Sequence, residues 1–519
     1  MPGKENNMSQ TTPFELKTNP ADFSVMVSGM FTIAREMGKN MERTARAPIY
    51  FSAHDFSTTL LTLDCELLAL AEYIPVLIGA TPFAAKAVKE YFKDDINEGD
   101  VFLVNDPYTL DAGNQMADWC IVYPVFWNGK QVLWVANKAH QQDTGGGVPG
   151  GYNPGAMDIY AEGLRIPPVK IFEKGNERRD VFNLIMTNVR IPETQRGDLL
   201  SMIGAARIGE RRARVIYDTY GEEKVDTFIE DLMSYGEFMM REEIAKLKDG
   251  VYHCEIKGNE ASTPIVCDLT IQGSDMIVDF SKSGPMSPAY INSPIANTYS
   301  SVYMALMTSV GKKIQYRCGG CYRPINILTT PGTVTHAAHP ATHGNCTNFI
   351  AKQIIEAVWS ALAQTAPSEV PAGWGSINYW VFAGLDHRRG EGYGTPDFLG
   401  CSSGAGAIWG TDGWPTNGPQ ICSGTLYYPE IEVAESIYPI IWEKWEWATD
   451  SGAPGKWRGG CGVDNIWVAD CDPEPINLAY AAEPFDYEVA PAIAGGKVPK
   501  PNSKKLIFAD GKEAVSYTH

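Results

Sequence analysis

Residues 99–151 constrain the fold more than any other stretch, because apolar runs there alternate with polar, glycine-bearing loops at hairpin spacing. Gly99-Asp100-Val101-Phe102-Leu103-Val104 has the alternation and β-branched content of a strand, and Asn105-Asp106-Pro107-Tyr108 ends it, since proline offers no ladder donor and fixes φ. Asp111, Asn114, Gln115 and Asp118 follow at once. A second apolar run over 120–134 is broken by Asn128-Gly129, the dipeptide that adopts the positive φ values of a two-residue β-turn. This hairpin delivers the chain to Lys138, His140, Gln141, Gln142 and Asp143. Gly145-Gly146-Gly147, Gly150-Gly151 and Gly155 come next, a composition suited to main chain that closely approaches a ligand. Two polar loops on one hairpin scaffold form the candidate active site.

Three constellations carry possible chemistry. Asp55, Asp64, Asp106, Asp118, His140 and Asp143 offer carboxylates and one imidazole, a donor set for Zn, Mn or Fe that leans toward harder ions. The alternative is a set of turn caps around one hydrogen-bonded histidine, with Asp106, before Pro107, the clearest structural member. Cys318-Gly319-Gly320-Cys321 with His336, His339, His343 and Cys346 has spacing that suits either a structural zinc or plain packing. A nucleotide site is missing. No G-x-x-x-x-G-K-[ST] occurs, and neither Gly145-Gly146-Gly147 nor Gly404-Ala405-Gly406-Ala407 sits in a strand-to-helix phosphate loop, so any ATP is expected on another polypeptide. No histidine is spaced to pair with Cys120 or Cys461 as nucleophile.

The 519 residues give room for two or three domains. The reading is an α+β chain of several domains, mixing sheets and helices, with a β-rich, Gly/Trp-rich C-terminal half. Residues 1–20 form a flexible arm, 21–249 an active-site domain, 250–483 a second α+β domain and 484–519 an irregular tail. Within these, helices are expected over 22–46, 79–92 and 348–364, one long helix over 194–248, and strand material at Ile49-Tyr50-Phe51 and over 56–61. A net charge of -19 argues against nucleic acid or an anionic membrane as partner. No apolar run reaches the roughly 18 residues of a spanning helix. The polar N-terminus lacks a secretory core, and the eleven cysteines form no compact framework, so a cytoplasmic protein with reduced thiols is expected.

Read in order, several segments resemble the hydantoinase B/oxoprolinase family. They are Asp55-Phe56-Ser57, Ile74-Pro75-Val76, the 99–108 stretch, Ala139-His140 with Asp143 and Gly145-Gly146, Glu162-Gly163-Leu164-Arg165-Ile166-Pro167-Pro168, Asn188-Val189-Arg190, Gly320-Cys321-Tyr322-Arg323-Pro324 and Gly455-Lys456-Trp457-Arg458-Gly459-Gly460. The resemblance spans about residues 40–510. It implies a cytoplasmic enzyme subunit that couples ATP hydrolysis to carboxylating ketones or opening cyclic amides. ATP and Mg would be bound by a hydantoinase A-like partner, with a small subunit also possible. The branch reading favours a biotin-independent ketone carboxylase of acetone or acetophenone type. The alternative is a hydantoinase, lactamase or 5-oxoprolinase, and a third reading is a non-catalytic scaffold. The family pattern of a His three residues before an Asp, with a second His downstream, implies a divalent metal, Zn or Mn, at Asp118 and His140, with Asp55 beside them. Gln115 stands where that first His would be. His140 and Asp143 would then be catalytic, and the amides of Gly145, Gly146 and Gly147 would meet phosphate or carboxylate.

Overall fold

The computed structural model describes residues 14–257, 263–470, 476–482, 490–508 and 510–515. At its centre lies the hairpin expected around Asn128-Gly129. Two of its strands are β4 (Asp118–Trp127) and β5 (Lys130–His140). Asn128 and Gly129 take φ of 50° and 76°, the geometry whose twist matches that of the flanking strands. β1 (Phe56–Leu61), β2 (Leu67–Ala71), β3 (Val101–Val104), β6 (Val169–Glu173) and β7 (Asn176–Glu177) complete an antiparallel sheet of order β2-β1-β5-β4-β3-β6-β7.

Helices cover both faces of this sheet, so β1 is buried along its whole length. Successive strand residues point to opposite faces, and two adjacent threonines mark the two helix layers. Thr58 Oγ1 donates to Ala34 O (2.6 Å) in helix Pro20–Thr44, while Thr59 Oγ1 donates to Thr81 Oγ1 (3.1 Å) at the start of helix Thr81–Phe92. Helix Pro192–Tyr220 packs beside Pro20–Thr44 and is tied to the sheet where Asn137 Nδ2 donates to Met202 O (2.8 Å).

Two local expectations change. The long helix over 194–248 is two helices, Pro192–Tyr220 and Glu222–Ile244, because Gly221 between them has φ 77°, a conformation that ends a right-handed helix and costs glycine little. Ile49-Tyr50-Phe51 is helical rather than extended. Pro48 occupies the first position of the turn Pro48–Phe51, where its fixed φ is helical and its missing N–H is not needed.

A second sheet begins at Gly250, where the composition shifts. It has order β11-β10-β9-β8, from β8 (Gly250–Ile256), β9 (Ile265–Gln272), β10 (Asp275–Asp279) and β11 (Ile325–Leu328). Helices Ile295–Met307 and Ile350–Ala363 pack together, joined where Trp359 Nε1 donates to Ala305 O (3.0 Å). The buried core nevertheless runs without a break from Phe23 to Leu426. Beyond it, β12 (Asn378–Asp386) is flanked by β13 (Glu391–Pro396) and a later strand, and β14 (Ile440–Trp447) pairs with β15 (Val463–Ala469). That later strand is β16 (Asn477–Ala482). The architecture is α+β with several sheets.

Of the expected arm, residues 1–13 lie outside the described residues. Residues 14–19 lie along helix Glu222–Ile244: the Phe14 ring is 5.8 Å from that of Tyr235, and Thr18 N donates to Asp231 Oδ2 (2.6 Å). Within the expected irregular tail, β17 (Lys505–Ile507) pairs with β18 (Glu513–Val515) around Asp510-Gly511, a turn dipeptide. Residues 484–489, 509 and 516–519 of it lie outside the described residues. Among the described residues no helix is long and apolar enough to cross a membrane.

Candidate active site

The site follows from hairpin register. A two-residue loop pairs Trp127 with Lys130 and Phe126 with Gln131, but the next pair is Val125 with Leu133. Val132 is therefore an extra residue on β5, a bulge that advances every later partner by one. Because of it Asp118 lies opposite His140; an unbulged ladder would place Ala117 there. β1 runs alongside β5, and Asp55, the residue before β1, accepts from the His140 amide through its carbonyl (3.0 Å). The ends of three neighbouring strands thus gather Asp118, His140 and Asp55.

The imidazole is held on two sides. His140 Nδ1 lies 2.9 Å from Asp118 Oδ1, and Asn114 Nδ2 donates to Asp118 Oδ2 at 2.8 Å. The ring stacks on Tyr152, with centroids 5.4 Å apart, and Tyr152 meets Tyr379 edge-on. His140 and Asp118 are only 4% and 1% exposed, yet both line a cleft of about 520 Å³. Its apolar lining includes Ile74, Val76 and Leu77, with Ile377, Ile421 and Leu426 from far later in the chain.

Burial pushes the Asp55 carboxyl up to about 6, with His140 opposing the rise and Asp118 adding to it. Burial also disfavours the His140 imidazolium. The hydrogen bond and charge of Asp118, helped by Asp55, outweigh that penalty, and the ring ends above its ordinary value. The result is a carboxylate–imidazole pair whose Nε2 is the nitrogen Asp118 leaves unengaged. A positioned imidazole with a free nitrogen can take a proton from water.

The other expected residues are differently employed. Asp143 accepts from Arg190 Nη1 (2.9 Å) and from the amides of Arg190, Gly145 and Gly150. With the Gly145 amide on Asp143 and the Gly147 amide on Ala161 O, two of the three glycine donors serve the loop itself. Gly146 takes φ 77°, and a Cβ there would lie 2.8 Å from the Glu162 carbonyl carbon, so close main-chain packing explains it. Asp64 pairs with Lys89 on the surface, and Asp106 pairs with Arg165 (2.9 Å) while capping the turn at Tyr108.

The zinc reading of the second constellation does not survive. Cys318 and Cys321 lie beneath helix Glu222–Ile244 against Gly236. His336 bonds Thr329 Oγ1, His339 bonds Tyr160, and Cys346 Sγ donates to Asn114 O (3.2 Å). His343 is buried beside Glu162, and desolvation lowers its pKa to about 4. Cys318 and Cys321 sit together under that helix, while His339 and His343 flank the Tyr108 ring. Among the described residues no three His, Cys, Asp or Glu side chains are grouped to hold a metal ion.

At the cleft the same accounting applies to the divalent ion that resemblance implied. Gln115 is used at both ends, its Nε2 donating to Gly344 O and its Oε1 accepting from Thr347 Oγ1 (2.8 Å). Both Asp118 oxygens have partners already. Asp55 and His140 Nε2 remain, fewer than the three or four protein ligands such ions take. As arranged, the side chains do not fit a divalent ion.

Several contributors went unrecognised in the sequence. Asn114, four residues before Asp118, holds that carboxylate, and this spacing is the one local signal for its role. Thr347, Tyr379, Cys401 and Cys422 reach the cleft from more than 200 residues beyond His140, and no local pattern marks them.

Comparison with known proteins agrees with this architecture. Residues 19–517 match the Hydantoinase B/oxoprolinase family. The chain is 38% identical over 452 residues to the caprolactamase beta subunit of Pseudomonas jessenii, covering 86% of this chain and 77% of that one. It is 26% identical over 494 residues to the acetophenone carboxylase delta subunit of Aromatoleum aromaticum, covering 89% and 70%. The crystal structure of the ATP-dependent caprolactamase from Pseudomonas jessenii matches at TM-score 0.86 and 34% identity, over 96% of this chain and 87% of that chain. A nucleotide-free acetone carboxylase structure shares the fold, with TM-score 0.85 at 18% identity over 94% and 67%. With its ordered motifs, hairpin-borne site and near full-length match, the chain belongs to the hydantoinase B/oxoprolinase family.

Proposed function

We propose that this chain is the subunit of an ATP-dependent cyclic-amide hydrolase in which a ring amide, activated by phosphorylation on a partner subunit, is opened by water. The observation that carries this reading is the Asp118–His140 pair, 2.9 Å apart at the cleft. Water adds to the activated amide carbon as its proton passes to His140 Nε2. The C–N bond then breaks, the ring nitrogen takes that proton back, and the acyl phosphate left behind yields phosphate to a second water. Asp118 keeps the Nδ1 side of the ring engaged and stabilises the imidazolium formed in between. Asn114 fixes Asp118. The lactamase subunit's 38% identity, against 26% for the carboxylase subunit, supports the same choice. Nucleotide binding falls to a hydantoinase A-like partner, since this sequence has no phosphate loop.

The test uses the chain assembled with that partner. ATP-dependent formation of a ring-opened amino acid from a lactam, with no label taken up from bicarbonate, is the expected result. Labelled bicarbonate entering a ketone, with lactams untouched, would replace this reading by the carboxylase expected from sequence. A separate measurement addresses the metal. Gln115→His releases the bonds to Gly344 and Thr347 and adds an imidazole beside Asp118 and His140. Elemental analysis is expected to rise from well below one Zn or Mn per chain to about one. A stoichiometric metal in the unaltered protein would show that the carboxylate and ring rearrange to bind it.

A further inference from the structure

Among the described residues, no lysine or arginine lines the cleft before Asp118 and His140. Two arginines of the surrounding loops are already paired, Arg165 with Asp106 and Arg190 with Asp143, each at 2.9 Å. The acidic groups of the lining are Asp55 and Asp118, and much of the remaining lining is hydrocarbon. Of the lining amides, Gln115 is used at both ends, and Asn348 Nδ2 donates to Asn345 Oδ1 and Tyr379 OH, each at 2.9 Å. A carboxylate entering this space would lose its hydration, find no lysine or arginine, and face two acids, one of which, Asp118, already engages the His140 ring. Desolvating an unpaired charge is costly, and placing like charges together costs several kcal/mol more.

Building on the amide-opening reading, we propose that the cleft selects neutral, largely hydrocarbon lactam rings and turns away rings bearing a carboxylate. Asp55 gives such a ring one polar anchor, since a secondary lactam carries an N–H that a carboxylate accepts. Apolar wall residues supply the rest of the recognition, non-directionally and in proportion to the area covered. Selectivity among neutral rings then comes from shape, and rejection of anions comes from charge.

Two probes isolate charge from shape: 5-oxoproline and 5-oxoprolinamide share one ring and differ in carboxylate against carboxamide. Binding to the full complex without ATP, measured by ligand-observed NMR at neutral pH, is expected to favour the amide by roughly a hundredfold. Ile421→Arg, which sets a cation in the hydrocarbon wall, is expected to shrink that ratio at least about tenfold. Equal or tighter binding of the acid, or binding of neither probe, overturns the proposal. Turnover judges the hydrolase reading separately. A complex that binds the neutral ring over the anionic one yet carboxylates ketones would keep the charge filter and remove amide opening, whereas one that opens both rings with equal kcat/KM would do the reverse.

Discussion

Alanine at position 140 is expected to lower kcat of the assembled complex by roughly 10²- to 10⁴-fold, the range of a positioned general base, while KM for a lactam changes little. In the proposed mechanism the imidazole would meet the water rather than the ring, so its loss would remove proton transfer and leave binding on the apolar lining. The pH profile gives an independent reading. In the proposed mechanism His140 would act as the neutral base, and its pKa is raised, so kcat/KM should climb with pH through a value above the ordinary 6.5. Asp118→Asn removes the carboxylate that favours the imidazolium. It should therefore move that limb toward lower pH and also lower the plateau, because the ring loses its anchor. Unchanged kcat in His140→Ala would sink the mechanism and leave the scaffold reading in its place.

Asp143→Ala is expected to act on stability instead, lowering the free energy of unfolding by about 3 kcal/mol in chemical denaturation. The carboxylate is 3% exposed and holds four donors, three of them backbone amides. Without it those amides and the Arg190 guanidinium lose their shared acceptor, and the glycine loop loses its fixed course. The pH limb assigned to His140 should stay in place, since Asp143 does not line the cleft. A variant of unchanged stability whose pH limb has moved would return Asp143 to the catalytic role first expected of it.

The contrast between these two residues shows what the sequence could convey. Asn128-Gly129 dictated a tight turn, and a tight turn fixes which residues face each other, so the meeting of Asp118 with His140 was within reach from local chemistry. Even so, the bulge at Val132 decides the exact pair, and nothing in Gln131-Val132-Leu133 announces it. Asp143 and Gln115 looked like free ligands because residue type reveals lone pairs but not who occupies them. Their partners, Arg190, Gly344 and Thr347, are 47, 229 and 232 residues away. The break at Gly221 was hidden because helical periodicity continues on both sides. The cysteine pair failed as a zinc site for a related reason: C-x-x-C spacing fits a buried turn under a helix as well as it fits a metal.

The lining of the cleft comes from different parts of the chain: Asp55, Asp118 and His140 from one end of the seven-stranded sheet, and much of the apolar surface from residues 377–426. Drift in the second part can retune what is admitted while the first part stays untouched. A family built this way can diversify its diet without reinventing its reaction, and grafted chimeras that exchange only the later segment would be the natural route to new specificities.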